Sequence, residues 1–346
     1  MDVSARQRSL DYLQALDQER SSWVPQYREL AEYLAPRLGR FLVSDTNKGH
    51  KKHQKIIDST GTRSVRMQSA GLLGGASSPA RPWFRLATPD PKLNRVHDVQ
   101  VWLAECTRIM LSIFGKSNTY RMLHSLYDEL GVFGTGVSIL TADFNTVIHN
   151  HAQTCGQYWL ASNWRGDVDT LYREMQRPVA AVVREFGLGA VSDTVRNMYT
   201  SGKYDAPVVI VHAIEPRTKR DSTKQDVLNM AWRSCYFERG SNEDKYLRES
   251  GMRKFRVLAP RWYVTPGDTY GGSAGMDALG DVKQLQQQNL RKSQGIDYQT
   301  KPPLQAPLSM LGREIDMLPG GITFTDTNAG GIKSLYDVRL DLNHQT

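Results

Sequence analysis

Long apolar runs are missing from this chain of 346 residues. The longest, Val208 to Ile214, has His212 inside it, whereas a membrane-spanning helix needs about 18 apolar residues in succession. Nothing in the sequence reads as crossing a bilayer. Cysteine is scarce too: Cys106, Cys155 and Cys235 are odd in number and far apart. That spacing excludes a disulfide scaffold and fits a reducing compartment. No Cys or His pairs recur at ligand spacing, so zinc finds no ligand set. No glycine-rich loop ends in Lys-Ser or Lys-Thr, so no nucleotide-hydrolysing motif is recognisable. The opening residues, Met1-Asp-Val-Ser-Ala-Arg6, are polar with no apolar segment behind them to make a secretory signal. A soluble intracellular protein without cofactor or metal is expected.

What is present is enough for a core: 40% of residues are hydrophobic, with 7 Trp, 15 Tyr and 9 Phe. At about 150 residues per domain, the length suggests two domains. The 44 basic and 36 acidic residues leave a net charge of +8. Such a balance permits contact with nucleic acid, but only concentrated charge survives screening by salt. One concentration exists, Lys48, His50, Lys51, Lys52, His53 and Lys55, with no acid before Asp58. It reads either as a phosphate-contacting loop or, more simply, as a solvated loop before a helix. No aromatic is interleaved to stack on bases.

Helical spacing of Leu10, Leu13 and Leu16 predicts a first helix over residues 4–19. Ser21 or Ser22 is expected to cap a second, with Trp23, Tyr27, Leu30, Ala31 and Leu34 as its buried stripe. A third should run from Thr60 to Leu73, with Val65, Gln68, Ser69 and Leu72 inward, and stop at Gly74-Gly75. Prolines 79, 82, 89 and 91 around Trp83 and Phe84 predict an extended, aromatic-anchored segment. Asp98 to Ile113 is amphipathic through Val101, Trp102, Cys106, Ile109, Met110 and Ile113, and a further helix follows from Thr119 to Leu130. Strands are expected at 137–141, 147–151, 157–161, 208–214, 232–238 and 254–259, with a helix near Val179 to Phe186. Helices first and short antiparallel strands afterwards argue for an α+β fold.

The segment from Met276 to Gln299 lacks proline and ends at Lys301-Pro302-Pro303, a hard helix stop. Ala278, Leu279, Val282, Leu285 and Leu290 make only a thin apolar seam, and six Gln or Asn residues cover most of the rest. A helix so polar is not a core element, yet it is too long to stand unsupported. It reads as one rod of a ring-shaped channel packed beside its copies, or as a surface helix of a monomer.

Three motifs invite chemistry. Gly271-Gly-Ser273-Ala-Gly275 has the spacing of a serine hydrolase elbow, but no strand directly precedes it and the only later histidine is His344. Ser273 is better placed to accept a backbone N–H at the start of the long helix. Gly131-x-x-Gly134-x-Gly136 follows a helix and precedes a strand, the reverse of a phosphate cradle, and predicts a turn needing positive φ or close approach. His149 and His151 share a strand face near Cys155 but lack further ligands, and Asp167 with Asp169 fits a strand-edge turn. No active site assembles.

Other stretches carry a resemblance. Asp58-Ser-Thr-Gly61, Ser77-Ser-Pro-Ala-Arg-Pro-Trp-Phe-Arg-Leu86, Ser117-Asn118 with Tyr120, Phe133-Gly-Thr-Gly136 and Asp167-Val-Asp-Thr-Leu-Tyr-Arg-Glu174 stand in one order along the chain. His212 with Pro216-Arg217, Pro260-Arg-Trp262, Gly267-Asp-Thr-Tyr-Gly-Gly-Ser273, Pro302-Pro303 and Pro319-Gly-Gly321 continue it. In that order, from Asp58 to about Asp341, the chain resembles the portal (head-to-tail connecting) proteins of short-tailed double-stranded DNA phages.

The resemblance implies a homo-oligomeric ring of about twelve copies at one capsid vertex. DNA would pass through it non-specifically during packaging and ejection. The partners would be the packaging terminase, capsid and scaffolding proteins and a tail adaptor. It implies a wing over residues 1–262, a stem helix within 263–300, a clip-like region over 301–335, and the start of another helix over 336–346, with the family's C-terminal crown absent from this chain. It gives structural roles to Trp83, Phe84, Phe133, Gly134, Gly136, Arg261, Trp262, Tyr270, Gly271, Ser273, Pro302 and Pro303. Lys283, Gln284, Gln287, Arg291 and Lys292 become candidates to face the channel. Gly272-Ser273-Ala274 stands where Arg-Ser-Pro is expected, a change that would loosen the helix start. Two other readings of the residues compete: a hydrolase built on Ser273, and a monomeric nucleic-acid-binding module using the 48–55 loop.

Overall fold

The computed structural model describes residues 5–41, 54–224, 226–308, 311–312 and 332–334. The chain divides into two compact units, Met1–Gly280 and Asp281–Thr346.

The first unit begins with α1 (Ala5–Ser21) and α2 (Val24–Tyr33), then α3 (Thr60–Ala76), α4 (His97–Lys116) and α5 (Thr119–Phe133). The antiparallel hairpin β1 (Val137–Asp143) and β2 (Val147–Gln153) follows, then β3 (Tyr158–Ser162) and β4 (Val168–Pro178). Helices α6 (Val179–Phe186) and α7 (Asp193–Thr200) interrupt the strands before β5 (Pro207–Pro216), β6 (Trp232–Glu238), β7 (Arg248–Met252) and β8 (Val257–Leu258). The larger sheet is antiparallel in the order β3-β4-β5-β6-β7, and the smaller is β2-β1-β8. This is an α+β architecture.

Burial explains why β5 supplies the longest apolar run. Alternate side chains of a strand point to opposite faces. Val208 and Ile210 join Val179, Val182, Val191 and Val195 under α6 and α7. Val211 and Ala213 meet Leu13 and Leu16 of α1, together with Tyr172 and Phe237, on the opposite face. Ile214 packs with Val137, Ile139, Tyr158, Leu160 and Tyr270 between the two sheets. With both faces covered, the strand has no polar alternation to show. His212 is accommodated by partners: its ring stacks on Tyr236 with centroids 3.9 Å apart, accepts from Arg173 Nε at 3.0 Å, and meets Ser234 Oγ at 2.9 Å.

Several expectations change. Ser21 and Ser22 do not cap α2; their hydroxyls donate back to Gln18 and Glu19, and Trp23 occupies the cap. Helix α3 does not stop at Gly74-Gly75 but continues to Ala76, since neither glycine takes the left-handed conformation that ends a helix. Gly131 lies inside α5, and only Gly134, at φ 77°, closes it. The strand expected over 254–259 shrinks to β8. Asp167 sits in the expected turn, where its N–H donates to Asn163 Oδ1, whereas Asp169 lies inside β4. Strands β4 and β7 and helix α7 are additions to the sequence reading.

Helix α4 is amphipathic as predicted, but its apolar stripe faces outward. Trp102 is 65% exposed and Val101 54%, and Thr107 is its only buried residue. The expected Trp83–Phe84 segment covers another side: Trp83 stacks on Phe114 with centroids 6.2 Å apart, and Leu86 N–H donates to Thr107 Oγ1 at 3.2 Å.

The second unit is brief. Helix α8 (Ala274–Thr300) runs into it and ends before Pro302-Pro303, with Lys301 N–H donating to Asp297 O. Then β9 (Leu304–Gln305) pairs antiparallel with β10 (Lys333–Ser334). Pro319-Gly-Gly321, the helix expected from Leu335 and His344 lie outside the described residues, as do Lys48, His50, Lys51, Lys52 and His53. Among the described residues no helix is long and apolar enough to cross a membrane.

Candidate functional site

The motif residues scattered through the sequence converge where α8 begins. Gly134 ends α5 in a left-handed conformation, and its carbonyl accepts Trp262 N–H at 2.8 Å. Gly136 N–H donates to Pro260 O at 3.1 Å, and a side chain there would meet Leu126. Between the two glycines, Thr135 is a hub: its Oγ1 accepts Gly271 N–H at 2.9 Å and its carbonyl accepts the Tyr158 hydroxyl at 3.1 Å. Arg261 spans the same corner, donating to the carbonyls of Gly166 at 2.6 Å and Thr269 at 3.3 Å.

Ser273 fastens the helix itself. Its hydroxyl donates to Val132 O at 2.7 Å and accepts from Met276 N–H at 3.0 Å, and the residue is fully buried. A hydroxyl committed twice and shut from solvent is a helix cap, not a nucleophile. Nor does Gly272 loosen the start. Its N–H donates to Tyr263 O at 2.8 Å, a Cβ there would lie 2.2 Å from the Tyr263 ring, and Tyr263 OH donates to Asp277 in the first turn of α8.

Aromatic packing backs the junction. Phe133 is fully buried edge-on against Tyr27, and Tyr27 lies edge-on to Tyr270. The Tyr270 hydroxyl accepts Leu160 N–H at 3.1 Å. Burial pushes the Tyr158 and Tyr270 hydroxyls well above their ordinary titration range, so both remain protonated. Behind them Glu129 of α5 is buried and accepts Thr154 Oγ1 at 2.6 Å and Cys155 N–H at 3.0 Å. Desolvation outweighs these bonds and raises its pKa to about 7.

Phe133, Gly134, Gly136, Arg261, Trp262, Tyr270, Gly271 and Ser273 thus form one site. Trp83 and Phe84 form a separate cluster on α4, and Pro302 and Pro303 follow α8. Thr135, Tyr263 and Glu129 were missed. For Thr135 a signal existed, because it lies between two glycines that each admit a close backbone. Along α8, Gln284, Gln287 and Arg291 are exposed, whereas Lys283 and Lys292 are half-buried. His149 and His151 lie ring to ring at 4.7 Å on β2, yet the described residues hold no His, Cys, Asp or Glu group able to bind a metal.

The body of the first unit closes around the first turn of a long, polar helix. The chain belongs to the bacteriophage head to tail connecting proteins, whose family model matches residues 6–346. It is 52% identical over 328 residues to the probable portal protein of Bordetella phage BPP-1, covering 94% of this chain and 59% of that protein. It is 42% identical over 339 residues to the portal protein of Salmonella phage epsilon15, covering 97% of this chain and 61% of the relative. The chain therefore spans about three fifths of the length of these curated relatives.

Proposed function

We propose that this chain supplies the wing and stem of a portal ring at one capsid vertex, a structural part of the virion rather than an enzyme. About twelve copies would assemble in the host cytoplasm with capsid and scaffolding proteins. The ring would dock the packaging terminase, admit double-stranded DNA, and later carry the tail adaptor. Residues 1–262 are the wing, 263–300 carry the stem helix, and 301–335 approach the clip.

The observation that carries this reading is α8. Its first turn is clamped by Ser273, Tyr263 and Gly271, while Gln284, Gln287 and Arg291 stand exposed further along. At 1.5 Å per residue it is about 40 Å long, comparable to the diameter of a small domain. A rod with so polar a surface gains little by burial within one chain, but it can stand beside copies of itself and offer water and DNA a lining of no net charge. Asp277, Asp281 and Asp297 offset Lys283, Arg291 and Lys292. That balance suits sliding, because each phosphate neutralised by a cation adds salt-dependent affinity that would hold DNA in place.

Light scattering and negative-stain imaging of the purified chain test the assembly. The expected result is rings with a mass many times the 39.1 kDa of one chain. Particles that stay at single-chain mass at every concentration, including with scaffolding and capsid proteins present, would overturn it.

A further inference from the structure

Helix α4 has little of its own chain to lie on. Of its 20 residues only Thr107 is buried. The Trp83–Leu86 segment covers one side, through Thr107 and Phe114. The opposite side carries Trp102, Cys106, Ile109 and Ile113, at intervals of four, three and four residues. Trp102 and Ile109 are exposed, and the other two are half-buried. Such spacing is the seam along which one helix packs against another. An apolar stripe left open to water marks a surface that a further protein chain covers.

Helix α3 offers the matching surface. Its outward side carries Arg63, Met67, Ala70 and Gly74 at the same three intervals. All four are exposed, Met67 by 71%. A side chain at Gly71, Gly74 or Gly75 would meet nothing within 4 Å, and none of the three has a positive φ. Neither packing nor backbone geometry within the chain asks for glycine there, although glycine weakens a helix. A flat strip of this kind lets large side chains from outside come close to the helix axis. Charge agrees with shape. Helix α3 holds Arg63 and Arg66 and no acid. The first half of α4 holds Asp98 and Glu105, the latter in an exposed pair with Arg108.

We propose that α4 of one copy lies along α3 of the next, the two helices running in the same direction. Trp102 then covers Arg63, Cys106 meets Met67, Ile109 rests on Ala70 and Ile113 on Gly74. The same register sets Glu105 beside Arg66. Each seam is about 16 Å long at 1.5 Å per residue. The two surfaces differ, so every copy offers one of each, and the contact repeats from copy to copy until a ring closes. Pairing α4 with a second α4 would stop at two copies and leave the open glycines of α3 without a use. The inference rests on the ring proposed above and names the surfaces that build it.

Met67→Cys places a thiol opposite the natural Cys106, while Cys155 and Cys235 are buried. Oxidation of the assembled variant with diamide should give a ladder of disulfide-linked chains that extends beyond the dimer. The ladder should be absent from wild type and from Met67→Cys combined with Cys106→Ser. Gly74→Leu fills space that is empty within one chain. It should keep the circular dichroism of the folded protein yet raise the concentration needed for assembly about tenfold, and Trp102→Ala should do the same. Rings that form without the ladder, or that both variants form as readily as wild type, overturn this contact and leave the ring itself standing. Linked dimers and nothing larger, in wild type and variant alike, overturn it in favour of an α4–α4 pair. A wild-type chain that never assembles overturns the contact and the ring together.

Discussion

A Cβ added to Gly134 would lie 2.2 Å from the carbonyl oxygen of Gly271. The end of α5 and the approach to α8 therefore meet backbone to backbone. Gly134 also sits at φ 77°, where an L side chain is strained. Gly134→Ala should lose roughly 3 kcal/mol or more, from left-handed strain plus a clash with backbone that has no room to yield. Gly280→Ala on α8, where nothing lies within 4 Å of the added carbon, should be neutral or slightly stabilising. Urea unfolding of the two variants checks the contrast.

Ser273→Ala removes a cap and leaves Val132 O without its donor. The expected cost is about 1–3 kcal/mol, again by denaturant midpoint. Ser273→Thr, which keeps the hydroxyl but adds a methyl group at a fully buried position, should not recover wild-type stability. Hydrolysis of model esters should be at background level for both variants and for the parent protein alike.

Glu129 makes stability depend on pH in a direction opposite to that of a salt-bridged acid. Its folded-state pKa is about 7 against an ordinary 4.5. Between those values the folded chain keeps a proton that the unfolded chain has released, so stability is greatest below 4.5 and is lost as pH rises through 7. The loss amounts to as much as about 3 kcal/mol. His212 works against this from the acid side: burial holds its pKa well below the usual value, so stability falls as unfolded histidine gains a proton below about pH 6.5. Comparing wild type with Glu129→Gln isolates the first effect. The variant should lack the decline between pH 5 and 8 in a series of urea melts.

The purified chain should bind duplex DNA weakly and without sequence preference, with affinity falling steeply as salt rises. Arg291→Gln together with Lys292→Gln should flatten that salt dependence, as read by fluorescence anisotropy at several ionic strengths. A nanomolar, sequence-specific complex at physiological salt would contradict the sliding role proposed for α8.

Much of the fold was legible wherever local pattern and tertiary role agree. Strand β6 and helix α6 lie within their expected bounds, and Ser273 could be read as a cap because the N–H it accepts, that of Met276, lies three residues on in the first turn of α8. Strand β4 was hidden by Arg173, Glu174, Gln176 and Arg177. Those charges are tolerable in a strand because Glu174 pairs with Arg239, 65 residues away, and Arg173 reaches His212. No local rule sees such partners. Strand β7, Arg248–Met252, has no apolar alternation and exists through its pairing with β6. Of the candidate site, the glycines and Ser273 were legible as local needs, whereas Thr135, Tyr263 and Glu129 acquire their roles from segments that meet only in the folded chain.

The three thiols are all free, and they are not equivalent. Cys155 and Cys235 are buried, and desolvation raises the pKa of both, Cys235 to about 12. Cys106 is half-exposed on α4, one helical turn from the uncovered Trp102. Maleimide chemistry at neutral pH should therefore tag one position without any engineering, and the natural sequence already carries a fluorescent reporter site beside the bare apolar patch of Val101 and Trp102. Whatever covers that patch will announce itself as a drop in labelling rate.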